Sequence, residues 1–281
     1  MPMRNRDVLG ALGVGMMMIA SVSGWASGSS DVPPGDDTAK ARLNASPRHG
    51  EFATVDVHGT PVRTWIVYPE RKDRAPLVVV IHEIFGLTDW VRAVADQLAA
   101  EGFVAVAPDL LSGKGPGAGG TEAFASRDDA VRAVSELPRD EVIARLDAVR
   151  TWALALPAAA RKSATIGFCW GGSTSFAYAV AQPALDAAVV YYGTAPADLA
   201  TLAALKTPVL GLYGANDARV DATLAATTAK MKELGKSFDP HVFDGAGHGF
   251  LRAQGGENDA NLKAAKEAWP LTIAFLRRHL R

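Results

Sequence analysis

The stretch Ser163-Ala164-Thr165-Ile166-Gly167-Phe168-Cys169-Trp170-Gly171-Gly172 decides how the rest of the chain is read. It reads as a strand over 163–168, followed by a helix rich in small residues over 171–182. Between them Cys169 stands in G-x-C-x-G, the strand–turn–helix elbow that presents a nucleophile, with cysteine in place of serine. The demand is steric: a nucleophile on a sharp, strained turn needs glycines beside it so that neighbouring backbone can pass close by. The turn lifts the sulfur above the C-terminal edge of a sheet and sets it at a helix N-terminus, where the dipole favours thiolate. The competing reading is a small buried hydrophobe at a tight strand–helix contact. Cys169 is the one cysteine in 281 residues, so no internal disulfide can form and Cys-rich zinc sites are excluded.

Outward from the elbow, strands and helices alternate. Residues 52–57 and 62–68 alternate around His58-Gly59-Thr60 and read as a hairpin. Residues 76–82 (PLVVVIH) form a continuous β-branched run, the mark of a strand buried on both faces. Apolar residues Val91, Val94, Ala95 and Leu98 predict a helix over 88–101, closed by Gly102. Further strands are expected at 103–107, 186–192, 208–213 and 237–243. Helices are expected at 122–136, 139–156, 221–234 and 258–280, with Pro138 separating the first two. Such alternation means βαβ units, a mostly parallel sheet with helices on both faces, and an antiparallel hairpin at its start. The Gly-rich loop at 112–120 contains Gly113-Lys114 but fails the P-loop pattern, so nucleotide binding gets little weight.

A cysteine nucleophile needs a base, and the base needs an orienting carboxylate. On the α/β-hydrolase fold these follow the nucleophile in the order acid, then histidine. The strand at 208–213 runs into Gly214-Ala215-Asn216-Asp217, which sets Asp217 at a strand end. The strand at 237–243 runs into Asp244-Gly245-Ala246-Gly247-His248-Gly249-Phe250, which sets His248 on a glycine-flanked loop able to reach the sulfur. His49, His58, His241 and His279 lie in a leader, a turn, a strand and a terminal helix. They read as solvated or structural. Asp221 rivals Asp217 but reads as a helix N-cap. Asp244 is too near His248 in sequence to be preferred.

Lys and Arg number 29 against 30 Asp and Glu, a formal charge of −1, without the basic excess of a nucleic-acid binder. Arg4 and Arg6 precede an apolar run over 8–20, followed by Gly24-Trp25-Ala26. This is the secretory pattern, with a cut expected before Ser27 and a periplasmic or secreted product. The run is shorter than the about 20 residues of a membrane span, so no stable span is expected. Arg4-Asn5-Arg6 is not a twin-arginine pair, and no cysteine follows to make a lipoprotein. The chain thus divides into a signal peptide at 1–26, a flexible leader at 27–50 rich in Ser, Pro, Asp, Gly and Ala, and one α/β domain at 51–281.

With these residues in place the sequence resembles the dienelactone hydrolases, the carboxymethylenebutenolidases, over roughly 52–280. The resemblance is carried by His82-Glu83-Ile84-Phe85-Gly86, the Gly167–Gly172 elbow, Tyr191-Tyr192-Gly193 and Gly247-His248-Gly249-Phe250. It implies an α/β-hydrolase fold and a triad on Cys169, His248 and Asp217. It also implies that Glu83 interacts with the thiol and takes its proton when substrate arrives. A thiol kept neutral until then would resist oxidation. The family's two substrate-carboxylate arginines fall on Arg252 and Arg127, with Arg132 as rival to the latter. A tyrosine that helps bind substrate in the type members is replaced by Val131, which weakens the case for a dienelactone itself.

The expected reaction is hydrolysis of a small ester or lactone, one bearing a carboxylate, through a thioester. Backbone N–H groups of Trp170 and Ile84 would hold the oxyanion. No metal, cofactor or nucleic-acid partner is expected, and the expected state is a monomer. The rivals are a general esterase or thioesterase, a thiol redox protein and a non-catalytic binding protein. The redox reading lacks a resolving cysteine.

Overall fold

In the computed structural model, which describes Met1 and residues 31–281, all eight strands expected from the sequence are present and join one sheet. They are β1 (Gly50–Val57), β2 (Thr60–Val67), β3 (Ala75–Ile81), β4 (Val104–Pro108), β5 (Ala159–Phe168), β6 (Ala187–Tyr191), β7 (Val209–Gly214) and β8 (Phe238–Phe243). The spatial order is β1-β2-β4-β3-β5-β6-β7-β8. The hairpin partners β1 and β2 are antiparallel, β2 is antiparallel to β4, and β3 to β8 run parallel. This is the α/β-hydrolase architecture.

Parallel strands need crossover helices, and these cover both faces of the sheet. The helices are α1 (Ala39–Asn44), α2 (Asp89–Ala100), α3 (Arg127–Ser135), α4 (Arg139–Leu154), α5 (Trp170–Ala181), α6 (Ala218–Glu233) and α7 (Ala260–His279). Every residue of β3, β4, β6 and β7 is buried, as their unbroken apolar runs require. Side chains alternate across the sheet. Val78 and Val80 of β3 pack with Trp90, Val94 and Leu98 of α2 and Trp269 and Ile273 of α7. Leu77, Val79 and Ile81 face Val142, Leu146 and Val149 of α4 and Phe176 of α5 on the other side.

Three expectations need correction. The helix expected at 122–136 is helical only from Arg127, after a 3-10 turn at Thr121–Ala123. The buried Asp109 accepts from Thr121 N at 2.7 Å and Thr121 Oγ1 at 2.7 Å, which holds this turn apart. Ser126 then caps α3, accepting from Asp129 N at 3.1 Å. Asp217, not Asp221, is the N-cap residue of α6, and Asp221 lies in its first turn.

The third correction concerns the leader. The signal peptide expected at 1–26 lies, apart from Met1, outside the described residues, but residues 31–49, expected to be flexible, are docked on the domain. Trp90 Nε1 donates to Pro34 O at 3.0 Å, and Gln254 Nε2 donates to Pro33 O at 2.7 Å. Arg48 grips Asp96 with two bonds of 3.0 and 2.6 Å, and Ser46 Oγ adds a third at 2.5 Å. Composition marks such a segment as unable to fold alone. It does not show that α2 and the loop after β8 supply its partners.

Candidate active site

The elbow has the conformation its glycines imply. Cys169 sits between β5 and α5 at φ 56°, ψ −117°, a strained left-handed backbone for a residue with a side chain. Its N–H donates to Tyr191 O at 3.1 Å. A Cβ on Gly167 would lie 1.9 Å from Gly171 O, and one on Gly171 would lie 2.3 Å from His82 O. Only glycine lets α5 start this close to β3 and β5.

The other two strand-end residues converge on the sulfur. His248 Nε2 lies 3.0 Å from Cys169 Sγ, and His248 Nδ1 lies 2.5 Å from Asp217 Oδ2. Asp217 is buried, while the imidazole reaches solvent. The loop between β8 and His248 is fixed by Asn216 N donating to Ala246 O at 2.9 Å and by Gly247 N donating to Asn261 Oδ1 at 2.9 Å. Asp221 and Asp244 make no hydrogen bond to His248 among the described residues.

Burial pushes the Cys169 thiol up, and the Glu83 carboxylate pushes the same way. The Trp170 N–H and Arg219 oppose this and lose. The balance opposes the thiolate-favouring effect of the helix N-terminus, and His248 Nε2 is in line to receive the thiol proton.

Glu83 is delivered by β3 to the same edge, as expected, but its direct partner is Arg252, with Oε2 2.7 Å from Nε. No hydrogen bond joins Glu83 to Cys169 among the described residues; its influence on the thiol is electrostatic. Burial raises the Glu83 pKa to about 7, against the opposing pull of Arg252. Arg252 Cζ lies 5.2 Å and Arg127 Cζ 3.6 Å from the centre of the Phe85 ring, which brings both predicted arginines to one aromatic platform. Arg127 arrives there because α3 starts with it. Arg132, five residues on, is exposed.

Three residues of this region were given no role of their own from the sequence. His82 is fully buried; Nδ1 donates to Glu83 O at 2.7 Å and Nε2 accepts from Leu110 N at 3.3 Å. Burial lowers its pKa, so it is a neutral ring that shapes the loop carrying Glu83 and Ile84. Its signal was a histidine ending an otherwise apolar buried run. Tyr192 packs edge-on to His248 at 5.1 Å, and its buried hydroxyl has no hydrogen-bond partner among the described residues. The third is Asp36 of the docked leader: its Oδ2 lies 3.4 Å from Arg252 Nη1 and 3.9 Å from Arg127 Nη2.

The sheet topology and the strand–turn–helix elbow at Cys169 define an α/β-hydrolase fold. The dienelactone hydrolase family model matches residues 62–280. A candidate carboxymethylenebutenolidase of Salmonella typhimurium is 31% identical over 233 residues, covering 78% of this chain and 83% of that protein. Another from Saccharolobus solfataricus is 28% identical over 252 residues, covering 79% of this chain and 96% of that protein. Among solved structures, a candidate dienelactone hydrolase from Klebsiella pneumoniae aligns with a TM-score of 0.72 at 28% identity, over 82% of this chain and 98% of that one. The chain belongs to the dienelactone hydrolase family and is a carboxylic ester hydrolase acting on small molecules.

Proposed function

We propose that the chain hydrolyses an ester or lactone through a thioester on Cys169, with Cys169, His248 and Asp217 acting as a triad. The observation that carries this reading is the unbroken line from Asp217 Oδ2 through the His248 ring to Cys169 Sγ, with steps of 2.5 and 3.0 Å. As the substrate carbonyl arrives, Sγ attacks its carbon and His248 Nε2 takes the thiol proton. Asp217 holds the ring with Nδ1–H towards itself and stabilises the imidazolium. Backbone N–H groups of Trp170 and Ile84 receive the oxyanion. Losing one such donor costs about 3 kcal/mol.

The C–O bond then breaks, and the leaving oxygen takes the proton from His248. Water, deprotonated by His248, adds to the thioester and expels Cys169 with its proton restored. A lactone opens without losing a fragment, so both new ends leave as one hydroxy acid or its keto form. In this scheme the thiol proton goes to His248. Glu83 holds Arg252 and discourages premature thiolate.

The substrate's charge separates two readings. A dienelactone-like substrate bearing a carboxylate would meet Arg252 and Arg127, as the family resemblance implies. An ester without that requirement is the second reading, and the Asp36 carboxylate beside both arginines favours it.

A panel of lactones and small esters tests the chemistry, read by hydrolysis and intact mass on wild type and Cys169→Ser. An acyl adduct on Cys169 is expected, and a folded protein that binds these esters but never acylates would overturn the scheme. We further propose export to the periplasm or beyond, supported by Arg4, Arg6 and the apolar run that follows. N-terminal sequencing of the exported protein checks for Ser27. We propose in addition that the chain acts as a monomer, which light scattering measures.

A further inference from the structure

Asp36 stands beside the two arginines that the family resemblance assigns to a substrate carboxylate. Its Oδ2 contacts both arginines, at 3.4 Å from Arg252 and 3.9 Å from Arg127, while Arg252 Nε is already engaged by Glu83 at 2.7 Å. Two guanidinium groups thus face two carboxylates before any ligand arrives. An anionic substrate would add a third carboxylate against the same two cations.

The placement is fixed by backbone. Asp36 N donates to Arg252 O at 2.9 Å, so the residue is tied to Arg252 by main chain and side chain together. Pro33 and Pro34 carbonyls accept from Gln254 and Trp90 on one side of it. On the other side Thr38 N closes a turn onto Gly35 O at 3.2 Å, α1 packs on α2, and Arg48 locks onto Asp96. Pinned before and after Asp36, the segment is a strap and not a loose flap.

We infer that Asp36 is a built-in counter-carboxylate and a specificity-determining residue: this hydrolase takes esters or lactones whose substituent facing Arg252 and Arg127 is uncharged, and it rejects those bearing a free carboxylate there. The inference rests on the ester-hydrolysis reading of Cys169, His248 and Asp217. The Asp36 side chain is 41% exposed, so water and salt screen its repulsion. The discrimination is accordingly about tenfold rather than thousandfold.

The test compares an enol lactone carrying a free carboxylate with its primary carboxamide. Both are assayed on the full chain as wild type, Asp36→Asn and Asp36→Glu. Wild type should favour the carboxamide. Asp36→Asn should raise the kcat/KM ratio of carboxylate to carboxamide about tenfold, Asp36→Glu should hold the wild-type ratio, and added salt should narrow the difference between variants. Phenylacetate, used as a competitive inhibitor of carboxamide hydrolysis, should bind Asp36→Asn about tenfold tighter than wild type, a readout of charge that a general loosening of the fold would not give. A wild type that prefers the carboxylate, or a ratio and inhibition constant unmoved in Asp36→Asn, overturns the inference while leaving the hydrolase intact. Failure of both lactones to acylate wild-type Cys169 overturns the hydrolase reading itself, and this inference with it.

Discussion

Two groups of side chains share the C-terminal edge of the sheet, and they are held in opposite ways. Asp217, His248 and Cys169 form a line in which His248 has one partner on each side, the three delivered by the ends of β7, β8 and β5. Arg252, Arg127, Glu83 and Asp36 form a cluster in which charges are shared, with separations from 2.7 to 3.9 Å, and only Glu83 follows directly on a strand. In the proposed scheme the line orders a proton path, and the cluster sets the charge that a ligand meets. A change to the line should therefore be lost as turnover, whereas a change to the cluster should be read as selectivity.

The sharpest break of this contrast lies in the line. His248→Gln should lower kcat on the order of 10⁴-fold, and Asp217→Asn by a similar factor, with KM little moved. Because the members act as one unit, the double variant should fall scarcely below His248→Gln alone; multiplied losses in steady-state assays would show that Asp217 acts elsewhere.

Next in size is the strap. Arg48→Ala leaves the buried Asp96 carboxylate without its guanidinium, a loss of about 3 kcal/mol for a buried pair. Amide exchange over 31–49 should speed up, and the preference between charged and uncharged substrates should drift as in Asp36→Asn. Unchanged exchange would mean that Trp90 and Gln254 suffice to hold the segment.

A smaller effect is expected at the elbow. Gly171→Ala forces a Cβ against His82 O and Ile81 O, an overpacking cost of about 2 kcal/mol that should appear in denaturant unfolding.

A pH effect is expected at Glu83. Its folded pKa of about 7 stands above the ordinary 4.5, so between these values the folded chain holds a proton that the unfolded chain has released. This group's contribution to stability therefore falls as pH rises from about 4.5 through about 7. Glu83→Gln should remove that slope from Tm measured across the window, and a slope that persists would assign it to another group.

The line was legible in the sequence because each member lies beside a strong local signal. Short segments rich in apolar and β-branched residues marked β5 and β7, glycines marked the elbow and the His248 loop, and chain order suggested the roles. The cluster was legible only in part. Arg252 follows His248 closely, but choosing Arg127 over Arg132 depended on where α3 begins, and that start is set by Asp109 holding Thr121 twelve residues away. His82 stands in a motif that carried the resemblance, but its role as a buried neutral ring depends on Glu83 O and Leu110 N, partners that only the folded loop brings to it. Glu83 was placed correctly, but its closest partner is a guanidinium and not the thiol.

The sequence by itself determined the strands, their alternation with helices, the elbow and the residues that follow the strand ends. That was enough to bring Cys169 to His248 across 79 positions, because a parallel sheet gathers the C-terminal ends of its strands on one edge whatever their spacing. Only the tertiary structure decided that Asp36 meets Arg252 across 216 positions. No periodicity governs residues 31–49. Their position follows from separate hydrogen bonds and ion pairs to Trp90, Asp96 and Gln254, partners that exist as a surface only after the sheet and its helices have packed.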